Sequence, residues 1–116
     1  MKHSMIKIGI ICASLFLPFV AIAQVRNFGS FDCGFWVKNQ NTKPLSNSEI
    51  VVKTWLYGYL SGLNSVLATP KNDPMSQITD TQVNLWMDKY CRDEPLSNIQ
   101  AGANILYQEL ERRRKK

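Results

Sequence analysis

Histidine is almost missing from this chain of 116 residues: the single one, His3, stands near its start. Histidine-based acid–base catalysis and histidine metal ligation therefore lack their usual carrier, and the serines have no histidine to activate them as nucleophiles. No Gly-x-Gly-x-x-Gly, phosphate loop or haem-attachment pair occurs, so the common cofactor folds are not indicated. Internal repeats and low-complexity segments are missing apart from a basic terminal run. Asp88, Asp93 and Glu94 form the one acidic cluster. Asp88 and Arg92 stand at i, i+4, the spacing of a helix-surface ion pair, and a paired-carboxylate hydrolase on so small a body is the weaker reading. The expectation is of no catalytic residue, no cofactor, no metal site and no enzyme.

A long hydrophobic run is missing too. Ile8 to Phe16 is almost unbroken but too short to cross a bilayer comfortably, and Pro18 interrupts its end. Lys2 and Lys7 precede this core, and Ala21-Ile22-Ala23 supplies the small-x-small pattern of a signal peptidase site. Residues 1–23 thus read as a cleavable signal peptide, with cleavage before Gln24; a retained anchor is the alternative. Cys12 lacks the small residues that precede a lipidated cysteine. The expected destination is a Gram-negative periplasm, and release from the cell stays open.

Cleavage leaves residues 24–116, one domain of 93 residues. A chain that short buries only about three fifths to two thirds of its unfolded surface and is marginal without a staple. Cys12 leaves with the signal, so Cys33 and Cys91 remain. In an oxidising compartment they can pair in one way, and closing that loop stabilises by about 4 kcal/mol in the chain-entropy model. Two separate buried thiols are the other reading, and a metal held by two thiolates without histidine is poorer still.

After cleavage 12 Lys and Arg stand against nine Asp and Glu, a net of +3. Arg112-Arg113-Arg114-Lys115-Lys116 carries more than all of that, so the body is slightly acidic and the tail cationic. Such a tail suits a solvated helix end or weak contact with an anionic membrane surface or acidic partner. Nucleic acid binding is disfavoured by the compartment and the acidic body.

Three main helices are legible. Ser46-Asn47-Ser48-Glu49 fits a capping box. It opens a helix to about Ala68 with Trp55, Tyr59, Leu63, Val66 and Leu67 as its apolar face. Thr79-Asp80-Thr81-Gln82 is a second capping box, followed by the stripe Val83, Trp86, Met87, Tyr90 and Cys91. A third helix is expected to open at Pro95 and to line one face with Ile99, Ala103, Leu106 and Leu110. Thr69 to Ile78, with two prolines, is a loop. Asp32 to Asn39 reads as a short helix or extended arm pinned by Cys33, with a polar loop from Asn39 to Pro44. The fold class is therefore all-α: a small disulfide-stapled bundle of three main helices plus a short N-terminal helix or arm.

Gly58, Ser61, Gly62 and Ser65 recur on one face of the first main helix. Two glycines inside a helix cost about 1 kcal/mol each relative to alanine and ask for a reason. Close packing against another helix is the first reading, the partner being the third helix with Ala101, Gly102 and Ala103. A binding groove or the seam of a homodimer is the second.

Cys33-Gly34-x-Trp36, Trp55-x-x-Gly58-Tyr59-Leu60-Ser61-Gly62-x-Asn64 and Trp86-Met87-Asp88-x-Tyr90-Cys91 with Pro95-Leu96 together resemble a group of small exported proteobacterial proteins. The Gly-Tyr-x-x-Gly helix and the Trp-x-x-x-Tyr-Cys-x-x-x-Pro segment are similar to the Rap/Tai immunity proteins, which protect Gram-negative cells from peptidoglycan amidase toxins of type VI secretion. The disulfide-stapled helical build is more distantly similar to the HdeA-like periplasmic acid-stress chaperones. Cys33 lies well before the Gly-Tyr helix, which departs from the immunity pattern, and no toxin-contacting residue carries over. The resemblance implies a non-catalytic binder whose partner is a toxin or peptidoglycan hydrolase, with a stress chaperone or accessory protein as the alternative. Tyr57, Asn64, Asn72 and Asp73, near the glycine strip and the interhelical loop, are the candidate contacts.

Overall fold

The structure, a computed structural model, describes residues 29–116. The signal peptide, its cleavage site, Cys12 and His3 lie outside the described residues. Four helices follow one another in this part of the chain, counted among the described residues: α1 (Cys33–Lys38), α2 (Asn47–Leu67), α3 (Asp80–Asp93) and α4 (Ile99–Arg114). Among the described residues there is no strand, only two isolated bridges, and no helix is long and apolar enough to cross a membrane.

Local chemistry sets each helix start. Asp32 caps α1, its carboxylate accepting from the Phe35 amide at 2.6 Å. At α3 the capping box is complete: Thr79 Oγ1 accepts from the Gln82 amide and Gln82 Oε1 accepts from the Thr79 amide. At α2 only half of the expected box forms. Ser46 Oγ accepts from the Glu49 amide, but the Glu49 carboxylate turns to the preceding loop. There it accepts from the amides of Asn41 and Thr42, from Thr42 Oγ1 at 2.6 Å and from Lys53 Nζ at 2.5 Å. Among the described residues Glu49 is the one buried charged residue. The third main helix opens later than expected. Pro95 lies in a turn, and the cap is Asn98, whose side chain accepts from the Ala101 amide, because its short carbonyl can satisfy an orphan first-turn amide and a proline side chain cannot.

The core lies between α2, α3 and α4, with α1 laid across α3. Val83, Met87 and Cys91 bury as the α3 stripe, and Ile99, Ala103 and Leu106 as that of α4. On α2 the expected face is displaced. Val52, Leu56 and Leu60 are fully buried, whereas Val66 and Leu67 are exposed and Trp55 and Tyr59 flank the core half-buried. The two stripes overlap in spacing. The aliphatic one faces α4, while the larger rings stack on each other at 5.1 Å along its edge.

Cys33 and Cys91 form a disulfide, with Cα atoms 4.9 Å apart and both residues buried. It fastens α1 to the last turn of α3, as expected. Backbone bonds reinforce the join: Cys33 N donates to Ser97 O, and Ile99 N donates to Phe31 O. Trp36, fully buried, donates from Nε1 to Asp88 Oδ1 at 2.7 Å. Asp88 thus serves the tryptophan and makes no ion pair with Arg92; the surface pair on this helix is Lys89 with Asp93.

Close packing through the small-residue strip does not occur. Gly58, Ser61, Gly62 and Ser65 are exposed, and a Cβ added at either glycine would meet nothing within 4 Å. The reason is angular: at 100° per residue these positions fall opposite Val52, Leu56 and Leu60. The close approach is made by Gly102. A Cβ there would stand 2.7 Å from the Tyr90 ring and 2.8 Å from Met87 Sδ.

Candidate functional site

At the end of the bundle remote from the disulfide, the loop joining α2 to α3 folds back over α4. Thr69 and Asn72 exchange backbone hydrogen bonds at 3.0 Å, closing a tight turn. Asp73 follows, and its Oδ1 accepts from Asn64 Nδ2 at 2.9 Å and from the Met75 amide at 3.0 Å. Asn64 in turn accepts at Oδ1 from the hydroxyl of Tyr107. That hydroxyl is held above its ordinary pKa, first by burial and then by the charges of Glu111 and Asp73. From α4, Arg114 donates through Nη1 to the Asp73 carbonyl and to Ser76 Oγ. The loop is tied on both sides.

These ties frame an open groove of about 600 Å³. One wall is the loop and the start of α3, through Pro74, Gln77, Ile78 and Gln82; the floor holds Trp86, Leu106 and Leu110; the far rim carries Glu109, Arg113 and Arg114. The volume is typical of ligand sites. Glu109 makes two ion pairs, with Arg112 Nη2 at 2.6 Å and with Arg113 Nε at 2.8 Å. The Arg112 hydrogen bond and then that of Arg113 hold its carboxyl down at about 2. The basic run is therefore partly knitted to the body.

The expected contact residues divide. Asn64 and Asp73 are bonded to each other and Asn72 closes the adjoining turn, so all three hold the loop that walls the groove. Tyr57 stands apart, its hydroxyl donating to Asn84 Oδ1 at 2.8 Å. The exposed strip Gly58, Ser61, Gly62 and Ser65 lies on the other side of α2. Trp86, Gln77, Glu109 and Arg113 were not read from sequence as site residues. Trp86 read as core, which it partly is, and the arginines read as tail. The one available signal was the i, i+3 and i, i+4 spacing of Glu109 with Arg112 and Arg113.

Among the described residues no group of three or more His, Cys, Asp or Glu side chains could hold a metal ion. The arrangement offers a preformed apolar floor with a charged rim, suited to binding. Compared with known family models, curated proteins and solved structures, the chain matches none of them.

Proposed function

We propose that this protein is an exported, non-catalytic binding protein of the periplasm that acts as an immunity-type inhibitor, occluding a toxin or cell-wall hydrolase. One structural observation carries the reading: a groove whose loop wall is fastened to α2 through Asn64–Asp73 and to α4 through Arg114. A loop ordered beforehand loses little freedom on association, so more of the contact energy appears as affinity. The signal-like residues 1–23, the disulfide and the resemblance to the Rap/Tai group support the compartment and the kind of partner.

The test is co-expression. Periplasmic delivery of an effector encoded next to this gene should kill cells unless this protein is present. Absence of a neighbouring toxin, together with no binding of the purified protein to any peptidoglycan hydrolase, would end the inhibitor reading.

A second reading, an HdeA-like acid-stress chaperone, is favoured by the buried Glu49, whose carboxylate ties Asn41 and Thr42 to α2 and gives up its ion pair with Lys53 when it takes up a proton. Suppression of client aggregation at about pH 2–3 and not at pH 7 would support it, since that is where such a carboxylate takes up its proton.

A further inference from the structure

We propose that the groove between the 74–78 loop, α3 and α4 receives an extended peptide segment of a partner protein in which an acidic group stands beside a bulky apolar side chain. The proposal rests on the binding-protein reading and assigns its surface and the chemistry of its partner.

Charge fixes the first half of that chemistry. Arg113 and Arg114 share the rim with Glu109, the one acid that lines the groove among the described residues, and Lys115 and Lys116 follow directly. Of the Arg113 guanidinium, Nε is engaged by Glu109, which leaves its two terminal nitrogens to take a carboxylate, a geometry arginine matches with paired donors. The floor fixes the second half. Trp86 and Leu110 on the floor and Ile78 on the adjoining wall are half-buried, so a large apolar side chain laid on them leaves water together with them.

The wall selects a peptide. Gln82 spends its Oε1 on the Thr79 cap and keeps its NH₂, while Gln77 has no side-chain partner among the described residues. Two amides along an open groove can donate to and accept from an extended backbone. A flat anionic bilayer fits less well. Arg112 and Arg114 are drawn onto Glu109, Asp73 and Ser76 instead of being spread for a surface.

The experiment uses the oxidised protein and a phage-displayed library of random dodecapeptides, with vesicles of phosphatidylglycerol as a parallel arm. Expected is enrichment of sequences that place Asp or Glu within a few residues of Phe, Leu, Ile or Trp. A synthetic peptide of the enriched sequence should lose affinity about tenfold or more in Arg113→Glu and in Gln77→Glu. Lys38→Glu, the same kind of change at an exposed position of α1, should leave it within about twofold. Gln77 is exposed and its side chain has no partner among the described residues, so Gln77→Glu keeps the test readable should Arg113→Glu disturb folding. No enrichment, or enriched peptides that bind both groove variants like the parent, overturns the proposal. Vesicle binding lost in Arg113→Glu without peptide enrichment also overturns it, in favour of a lipid surface. An intact toxin bound equally by the parent and both variants would sink this groove while leaving the inhibitor reading standing.

Discussion

The two ends of this bundle are held by different chemistry. At one end α1, the end of α3 and the start of α4 are joined by a buried disulfide, two backbone bonds and a fully buried tryptophan bonded to Asp88. At the other, the 69–78 loop buries Pro74 and rests Met75 and Ile78 on the core, and what ties it to α2 and α4 is a set of polar side chains: Asn64 on Asp73, Tyr107 on Asn64, Arg114 on Ser76. The first kind of join is dry and strong. The second is directional and worth about 1 kcal/mol per bond, which orders a loop without sealing it, and the groove lies there. The difference suggests a division of labour in which the covalent end supplies the stability that lets the polar end remain open.

The comparison predicts a large loss from breaking the covalent end. Cys33→Ala or Cys91→Ala should cost about 4 kcal/mol, from a link spanning 58 positions, read as a lower urea midpoint; a loss below about 1 kcal/mol would mean the unfolded chain is already confined. Breaking the polar end should cost less. Asn64→Ala leaves the buried Tyr107 hydroxyl and Asp73 short of a partner, at about 1–3 kcal/mol, and should raise amide exchange in residues 70–78 while leaving α1 protected.

The glycines sharpen the contrast at a smaller scale. Gly102→Ala drives a Cβ into Tyr90 and Met87, and Tyr90 cannot swing away freely because it stacks on Trp86 and shares a hydrogen bond with Ser97. Overpacking should outweigh the gain in helix propensity, for a net loss of about 1–2 kcal/mol. Gly62→Ala, opening onto empty space, should instead stabilise by up to about 1 kcal/mol. Equal effects at the two sites, measured by thermal unfolding, would contradict the packing described.

The smallest effect separates two carboxyls that sit alike at about 2. Glu49 is held there by Lys53 and Thr42 in a buried setting, and Glu109 by Arg112 and Arg113 at the surface. Both lie below the ordinary 4.5, so each contributes stability that is complete above about pH 4.5 and is lost as the pH falls towards 2. High salt should move the Glu109 midpoint upward and leave that of Glu49 nearly unchanged, because screening reaches exposed pairs. Carbon-detected carboxyl titrations at low and high salt would show it.

How much of this was legible in the sequence follows the same division. The α3 stripe, its cap at Thr79 and the Cys33–Cys91 pairing are readable because each rests on neighbours in sequence or, with Cys12 assigned to the signal-like segment, on there being two other cysteines to pair. The α2 face was misplaced because Trp55 and Tyr59 outweigh Val52 and Leu56 in size and share their spacing; which stripe turns inward is decided by α4. The strip at Gly58 and Gly62 looked like a seam since nothing local distinguishes a glycine facing a helix from one facing water. The groove was not readable, because Arg114 and Ser76 are 38 positions apart and meet only through the antiparallel return of α4. Asn64 and Asp73, with Tyr57 and Asn72, read as contacts for a partner; the bond between Asn64 and Asp73 joins positions whose meeting depends on how the loop folds back.

Three aromatic stacks recur at one spacing, Phe31–Phe35, Trp55–Tyr59 and Trp86–Tyr90, the last two with their planes within 8° and 9° of parallel. The three tryptophans of the chain are thereby sorted into optically distinct places. Trp36 is shielded and donates to a carboxylate, Trp55 lies beside a tyrosine on the flank, and Trp86 floors the groove within reach of solvent. Shielded and wetted indoles emit at different wavelengths, and near-parallel rings couple their electronic transitions. Single-tryptophan versions would let the welded end and the open end each report in its own colour, without an added dye.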